Sequence, residues 1–210
     1  IIFENAANNT NVAFTPMPSA LNATTAFSIV EGNEDGVFAI DSLGILRIAD
    51  NTNLDYEQNT SYELTLRAED SADGNLDYQE FVVNVSNVNE APLITFPGAQ
   101  VTNEDTPVVI SGITYSDPDI ESGDLLLSFS AENGDIVDVN GETIPQNHPW
   151  ELSLSFMNSI NESLTYVPHE NFSGSDAITL VLNDGGETGD GDPLEYTAVI
   201  DIEVLPVNDA

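Results

Sequence analysis

The chain of 210 residues carries 37 Asp and Glu against two basic residues, Arg47 and Arg67, for a formal net charge of −35. That balance excludes binding to a nucleic-acid backbone, which runs on Lys and Arg, and disfavours electrostatic attachment to anionic lipid surfaces. The absence of cysteine excludes disulfides, thiolate zinc sites and iron–sulfur clusters, and points to a bacterial exported protein rather than a eukaryotic secreted β-domain.

A solvated acidic surface suited to salty surroundings accounts for most of the charge. Even several bound divalent ions neutralise only a small part of it, so positions, not composition, must carry any metal reading. The residues contain no apolar run of about 18 positions, so no membrane insertion is expected.

Period-two alternation, punctuated by Gly, Asn and Asp turns, dominates the chain and predicts an all-β sandwich or barrel. After a tight loop at Gly32-Asn33-Glu34-Asp35-Gly36 come Val37-Phe38-Ala39-Ile40, a turn at Asp41-Ser42-Leu43-Gly44, and Ile45-Leu46-Arg47-Ile48. Leu54-Asp55-Tyr56-Glu57 precedes the clearest strand, Tyr62 to Asp70, in which Tyr62, Leu64, Leu66 and Ala68 share one face. A turn at Asp73-Gly74-Asn75 reverses the chain into a strand around Phe81, Val83 and Val85. That strand feeds straight into Asn87-Val88-Asn89-Glu90-Ala91-Pro92.

The seam has an echo at the end of the chain, Val204-Leu205-Pro206-Val207-Asn208-Asp209-Ala210. The echo divides the chain into two domains of roughly 100 residues each, residues 1–90 and 91–210. The abrupt start and the unfinished closing junction read as a segment cut from a longer array, with the first repeat truncated at its start.

The second half opens on Asn103-Glu104-Asp105-Thr106-Pro107, with Glu104 standing where Glu4 stands in the first. Ser116-Asp117-Pro118-Asp119 follows, and Pro118 stiffens the turn that presents both carboxylates. Ile178 to Asp184 reproduces the Leu64-to-Asp70 strand, and Ala198, Ile200, Ile202 and Val204 alternate in the last one. Residues 134–161 are extra sequence. They hold Ile136 and Val137, a hairpin turn at Asn140-Gly141, the only tryptophan, Trp150, and a further alternation from Leu152 to Phe156. Trp150 is either a core aromatic capping this extra hairpin or an exposed platform for a sugar or peptide.

The first half resembles the cadherin repeat. Phe27 to Asn33 and Phe38-Ala39-Ile40-Asp41 with Gly44 and Leu46 match that family's middle strands. Leu54-Asp55-Tyr56-Glu57, Tyr62 to Asp70 and Asn87 to Pro92 match its calcium motifs. The second half is similar to the cadherin-like tandem repeats of very large bacterial surface proteins. The matching pieces are Asn103-Glu104-Asp105-Thr106, Ser116-Asp117-Pro118-Asp119, Asn171 to Asp176 and Pro206-Val207-Asn208-Asp209.

The resemblance implies two tandem cadherin-like, Ig-like Greek-key β-sandwich domains with a calcium-binding linker. Carried over by position, the Ca²⁺ ligands are Glu4, Asp55, Glu57, Asn87, Asn89 and Glu90, joined by Asp117, Asp119 and Asp184. Ca²⁺ takes six to eight oxygens, more than one β-turn supplies. Three departures stand out. Asn87 replaces the usual Asp, the linker is one residue shorter before Pro92, and Met17-Pro18-Ser19-Ala20 stands where an Asp-x-Asp pair is expected. The last leaves any site shared with a preceding domain incomplete, although Asp70 matches one of its ligands. Two or three calcium ions are expected at the seam, two being the safer number.

No Gly-x-Ser-x-Gly elbow, His-Glu-x-x-His pair or phosphate loop is present, and His148 and His169 are isolated, so no enzyme is expected. The function expected is that of a calcium-rigidified extracellular spacer in a secreted or cell-surface bacterial adhesin. Its partners are neighbouring repeats, with a homophilic, glycan or peptide ligand on a cell surface. The alternative is a carbohydrate- or peptide-binding module that uses the segment around Trp150.

Overall fold

A computed structural model describes residues 1–12, 25–120, 123–138, 140–160, 164–186 and 188–208. Met17 to Ala20 and the closing Asp209-Ala210 therefore lie outside the described residues. The chain divides into two compact units, Ile1–Val88 and Asn89–Ala210; the sequence reading put the division between Glu90 and Ala91.

In the first unit β1 (Ile2–Phe3), β2 (Thr25–Glu31), β5 (Ser61–Asp70) and β6 (Leu76–Ser86) form a sheet of order β1-β6-β5-β2. β3 (Phe38–Ile40) and β4 (Leu46–Ile48) form a facing hairpin. β5 follows the predicted alternation: Tyr62, Leu64, Leu66 and Ala68 are buried, and β6 answers with Val83 and Val85. With Val37, Leu46 and Ile48 they make the core of this unit. The rings of Phe38 and Tyr62 meet edge to face at 5.1 Å, and the Tyr62 hydroxyl donates to the Asn53 carbonyl at 2.9 Å. The buried phenol thus keeps a partner, as a buried polar group must.

The loop leaving β2 depends on Gly32. Its φ is +81°, and a Cβ there would lie 1.9 Å from the Glu63 carbonyl oxygen. β2 slips register against β5 between Ile29 and Glu31, and the glycine lets the chain turn away pressed against its neighbour. Asn33 then clasps the start of β3, accepting from the Phe38 amide and donating to the Phe38 carbonyl, both at 2.8 Å.

The second unit holds β7 (Leu93–Thr95), β8 (Gln100–Asn103), β9 (Val108–Ile110), β10 (Thr114–Ser116), β11 (Asp124–Ser130) and β12 (Gly134–Val137). β13 (Trp150–Ser153), α1 (Leu154–Ile160), β14 (Leu164–Pro168), β15 (Gly174–Asn183) and β16 (Glu195–Leu205) follow. A five-stranded sheet of order β13-β11-β15-β16-β8 stands beside a three-stranded sheet, β12-β14-β9, and a β10-β7 pair. Leu125, Leu127, Leu180, Leu182, Ile200 and Ile202 meet Ile110, Ile136 and Tyr166 in one continuous core.

The extra segment corrects one expectation. Leu152 to Phe156 reads as an alternating strand, but β13 ends at Ser153 and α1 begins at Leu154. The Ser153 hydroxyl accepts from the Phe156 amide at 3.3 Å, capping the turn. Asn158 then bridges to both the amide and the carbonyl of Tyr115, at 2.9 and 2.8 Å, and Met157 is fully buried. Five residues are too few for their period to separate strand from helix.

Candidate metal centre

In the first unit the end of β1 is held parallel to the end of β6, with Ile2 opposite Val85. That register sets Glu4 against the outgoing chain, its amide donating to the Ser86 carbonyl at 3.2 Å. The buried Glu4 carboxylate accepts from Tyr56 N–H at 2.7 Å and from Val88 N–H at 2.5 Å. One side chain therefore ties the 54–57 turn to the first residues of the linker. Leu54, buried in the core, anchors the turn, and Asp55 shapes it by accepting from Gln58 N–H at 3.0 Å and Gln58 Nε2 at 2.7 Å.

The result is a cluster of carboxylate oxygens of Glu4, Asp55 and Glu57 within 4.8 Å of one another. Asn87 Oδ1 is buried without a hydrogen-bond partner. Asp70 stands apart from that cluster, closing the β5–β6 turn by accepting from Ala72 N–H at 2.9 Å.

In the second unit the polar cluster forms around Asn89. Its amide donates to the Asp190 carbonyl at 3.2 Å, and its Nδ2 donates to Asp184 Oδ2 at 2.9 Å and to the Asp192 carbonyl at 3.0 Å. Both amide hydrogens are spent, which fixes which end of the carboxamide is oxygen. That oxygen, Asn89 Oδ1, is buried and unpartnered.

Asp184, only 1% exposed, accepts from Gly186 N–H at 2.8 Å, Leu194 N–H at 2.9 Å and Asn89. It supports Asn89 and the loop after β15, and three donors already share its oxygens.

Asp117 and Asp119 follow β10. Asp117 Oδ1 accepts from Asp119 N–H at 2.9 Å, and Asp119 Oδ2 accepts from Glu90 N–H at 2.6 Å. Asp117 Oδ2 and Asp119 Oδ1 are buried with no partner. Burial raises the Asp117 carboxyl above its ordinary value, and the charges of Asp119 and Asp184 push the same way. The N–H groups of Asp119 and Ile120 offset this only in part. A buried carboxylate left short of hydrogen bonds is costly.

The nine expected ligands fall into two sets. Glu4, Asp55, Glu57 and Asn87 belong to the first unit; Asn89, Glu90, Asp117, Asp119 and Asp184 belong to the second. The donor atoms are all oxygens of carboxylates and carboxamides, with no imidazole or thiolate, which suits a hard cation of the Ca²⁺ type.

Sequence reasoning missed the 190–192 loop, whose carbonyls orient Asn89 through backbone groups that any residue carries. The glycines at 189 and 191 are its visible signal. Glu104 repeats the Glu4 arrangement at the other end of the second unit, with its amide on the Leu205 carbonyl at 2.8 Å and its carboxylate accepting from Val207 N–H.

The model of the Cadherin domain family matches residues 2–86, and that of the Bacterial Ig domain matches residues 89–194. Human Protocadherin-23 is 29% identical over 123 residues, covering 57% of this chain and 4% of that protein. Human Protocadherin Fat 1 is 27% identical over 192 residues, 90% of this chain and 4% of that protein. Chicken Protocadherin-15 is 48% identical over 54 residues, 25% of this chain and 3% of that protein.

The chain thus spans only a few per cent of the length of these curated relatives. Among solved structures, extracellular cadherin domains 3-6 of Protocadherin Gamma B2 superpose with TM-score 0.57 at 18% identity, covering 99% of this chain and 46% of that one. Domains EC1-4 of Drosophila N-cadherin give 0.55 at 16% identity, covering 99% and 47%. At those identities the likeness is one of fold. The chain belongs to the Bacterial Ig domain family through residues 89–194, half of its length, and its first unit matches the Cadherin domain model.

Proposed function

We propose that this chain is a Ca²⁺-binding extracellular spacer within a longer bacterial cell-surface adhesin, stiffened when calcium binds at the acidic clusters beside its linker. The observation that carries the reading is that, of the five buried side-chain oxygens without hydrogen-bond partners among the described residues, all but Thr188 Oγ1 belong to expected ligands: Asn87 Oδ1 on one unit, and Asn89 Oδ1, Asp117 Oδ2 and Asp119 Oδ1 on the other. Native structures leave few such atoms, and four oxygens within the expected ligand set call for a cation. The Bacterial Ig match and the lack of cysteine favour the bacterial setting.

Glu4, Asp55, Glu57, Asn87, Asn89, Glu90, Asp117 and Asp119 would hold the ions, with Asp184 orienting Asn89. Bound Ca²⁺ supplies positive charge to carboxylates that otherwise repel. Two unit charges about 4 Å apart repel by about 4 kcal/mol at an effective dielectric near 20, less where water reaches them. Without that charge the carboxylates resist being held together, and the Val88–Asn89 linkage flexes.

Isothermal titration with calcium tests the reading, with uptake of about two ions expected. Absence of uptake by the intact chain refutes it.

A further inference from the structure

The extra segment of the second unit builds a feature that a spacer does not use. β13 is the outer strand of the five-stranded sheet, and β12 is the outer strand of the three-stranded sheet. A groove of about 580 Å³ runs between side chains of β13 and those of the hairpin that follows β12. Its floor and walls are apolar: Phe129, Ile144, Pro145, Trp150, Leu152 and Phe156. Trp150 is 38% exposed and Phe156 50%, so two large rings remain in water on the rim of an otherwise closed core. Clustered exposure of this kind marks an interaction site more often than an accident of packing.

Three observations bear on the occupant. One long side of β13 pairs with β11, Leu125 opposite Leu152 and Leu127 opposite Trp150, and among the described residues no strand pairs with its other side. The free side offers a row of backbone donors and acceptors to an extended chain.

Trp150 and Leu152 both line the groove from one face of β13. An added strand therefore meets apolar pockets at every second residue.

The polar wall is made by Asp138, Asn140, Glu142 and Thr143, and its charges are both acidic. Asp138 is fixed by Asn140 N–H at 2.8 Å, Glu142 N–H at 2.9 Å and Asn140 Nδ2 at 3.1 Å. These bonds, led by the Glu142 amide, hold its carboxyl below the usual range, so it stands as a placed negative charge.

We propose that the groove beside β13 receives an extended peptide segment of a partner protein, added as a strand, with apolar residues against Trp150 and Phe156 and a Lys or Arg against Asp138 and Glu142. The pairing is by backbone, the selectivity by alternate side chains, and the acidic wall speeds encounter with a basic partner.

The test uses the intact chain with saturating calcium at physiological ionic strength, isotopically labelled for amide spectra. It is titrated with a short peptide alternating valine and lysine, with the glutamate version of that peptide, with the lysine peptide N-methylated at alternate residues, and with cellohexaose. The lysine peptide is expected to shift amides of residues 142–145 and 150–153, and Trp150→Ala or Phe156→Ser to weaken it about tenfold. The glutamate and N-methylated peptides are expected not to bind.

Shifts spread evenly over the acidic surface, binding unaffected by both substitutions, equal binding of the N-methylated peptide, binding of cellohexaose in place of the peptide, or no binding of the lysine peptide each overturn the proposal. The peptide methylation keeps the test valid if a substituted chain fails to fold. Calcium uptake measured on the same sample separates failure here from failure of the spacer reading.

Discussion

The Asn89 carboxamide donates to Asp184 Oδ2 at 2.9 Å and to the Asp192 carbonyl at 3.0 Å, and its own oxygen is buried without a partner. An amide turned this way gives its donors to a buried carboxylate and a carbonyl and leaves its acceptor available to a cation. Asn89→Asp replaces those donors with a second negative charge beside Asp184. In chelator, unit 2 is expected to lose about 3 kcal/mol of stability, the scale of an uncompensated buried charge. Calcium should recover part of the loss, read by thermal unfolding with and without the ion.

Asp117 gives the opposite sign. Burial raises its carboxyl above the ordinary value, followed by the charges of Asp119 and Asp184. A raised acid favours the folded state only while protonated, so its ionised form destabilises the fold increasingly as pH rises through the folded-state value. Asp117→Asn keeps an acceptor for the Asp119 amide and removes the charge. In chelator at neutral pH the variant is expected to melt higher than the parent, while its calcium-induced rise in melting temperature shrinks. A lower melting temperature in chelator contradicts this account of the cluster.

Asp176 in the second unit tests a site without metal. Its carboxylate accepts from the buried Tyr166 hydroxyl at 2.6 Å and from the amides of Asn133, at 2.9 Å, and Glu132, at 3.3 Å. Partial burial pushes its carboxyl up, but the bonds from Tyr166, Ala177, Asn133 and Glu132 outweigh that and hold it below the ordinary value of 3.8. A depressed acid stabilises the fold above its unfolded value, and that stability is lost as pH falls through the folded-state value. Asp176→Asn should flatten the acid limb of stability below about pH 4, and Tyr166→Phe should cost about 2 kcal/mol, the worth of a hydrogen bond to a charged group. Both effects are expected to be the same with and without calcium.

Gly32→Ala puts a Cβ against the Glu63 carbonyl at a positive φ. Strain and clash together should destabilise the first unit by about 3 kcal/mol or more, with the second unit's transition unchanged. Chemical denaturation followed by amide spectra resolves the two.

The strands were legible wherever one face is buried and the other wet. β5 alternates over Tyr62, Leu64, Leu66 and Ala68 because its inner face packs against β3 and β4, and the sequence carries that period directly. The helix at Leu154–Ile160 was hidden because its start is set by one serine hydroxyl and its packing by Met157 and Asn158, none of which alters a five-residue pattern.

Within the candidate site, the carboxylates of Glu4, Asp55 and Glu57 were expected through the resemblance to the cadherin repeat, and the structure brings the three together. The part played by residues 190–192 was not expected, because it is made by backbone carbonyls whose position depends on the loop's path. Asp184 was readable as a position. Its three hydrogen bonds, which make it the support of Asn89, depend on neighbours distant in sequence.

The central claim is that calcium at the linker clusters turns a flexing pair of domains into a stiff one. Small-angle scattering through a calcium titration of the intact chain measures this directly. The account predicts that the radius of gyration rises and the distance distribution narrows as the ion is added, reversing on chelation and vanishing in Glu4→Gln with Asp117→Asn. Scattering that is unchanged from chelator to saturating calcium contradicts it.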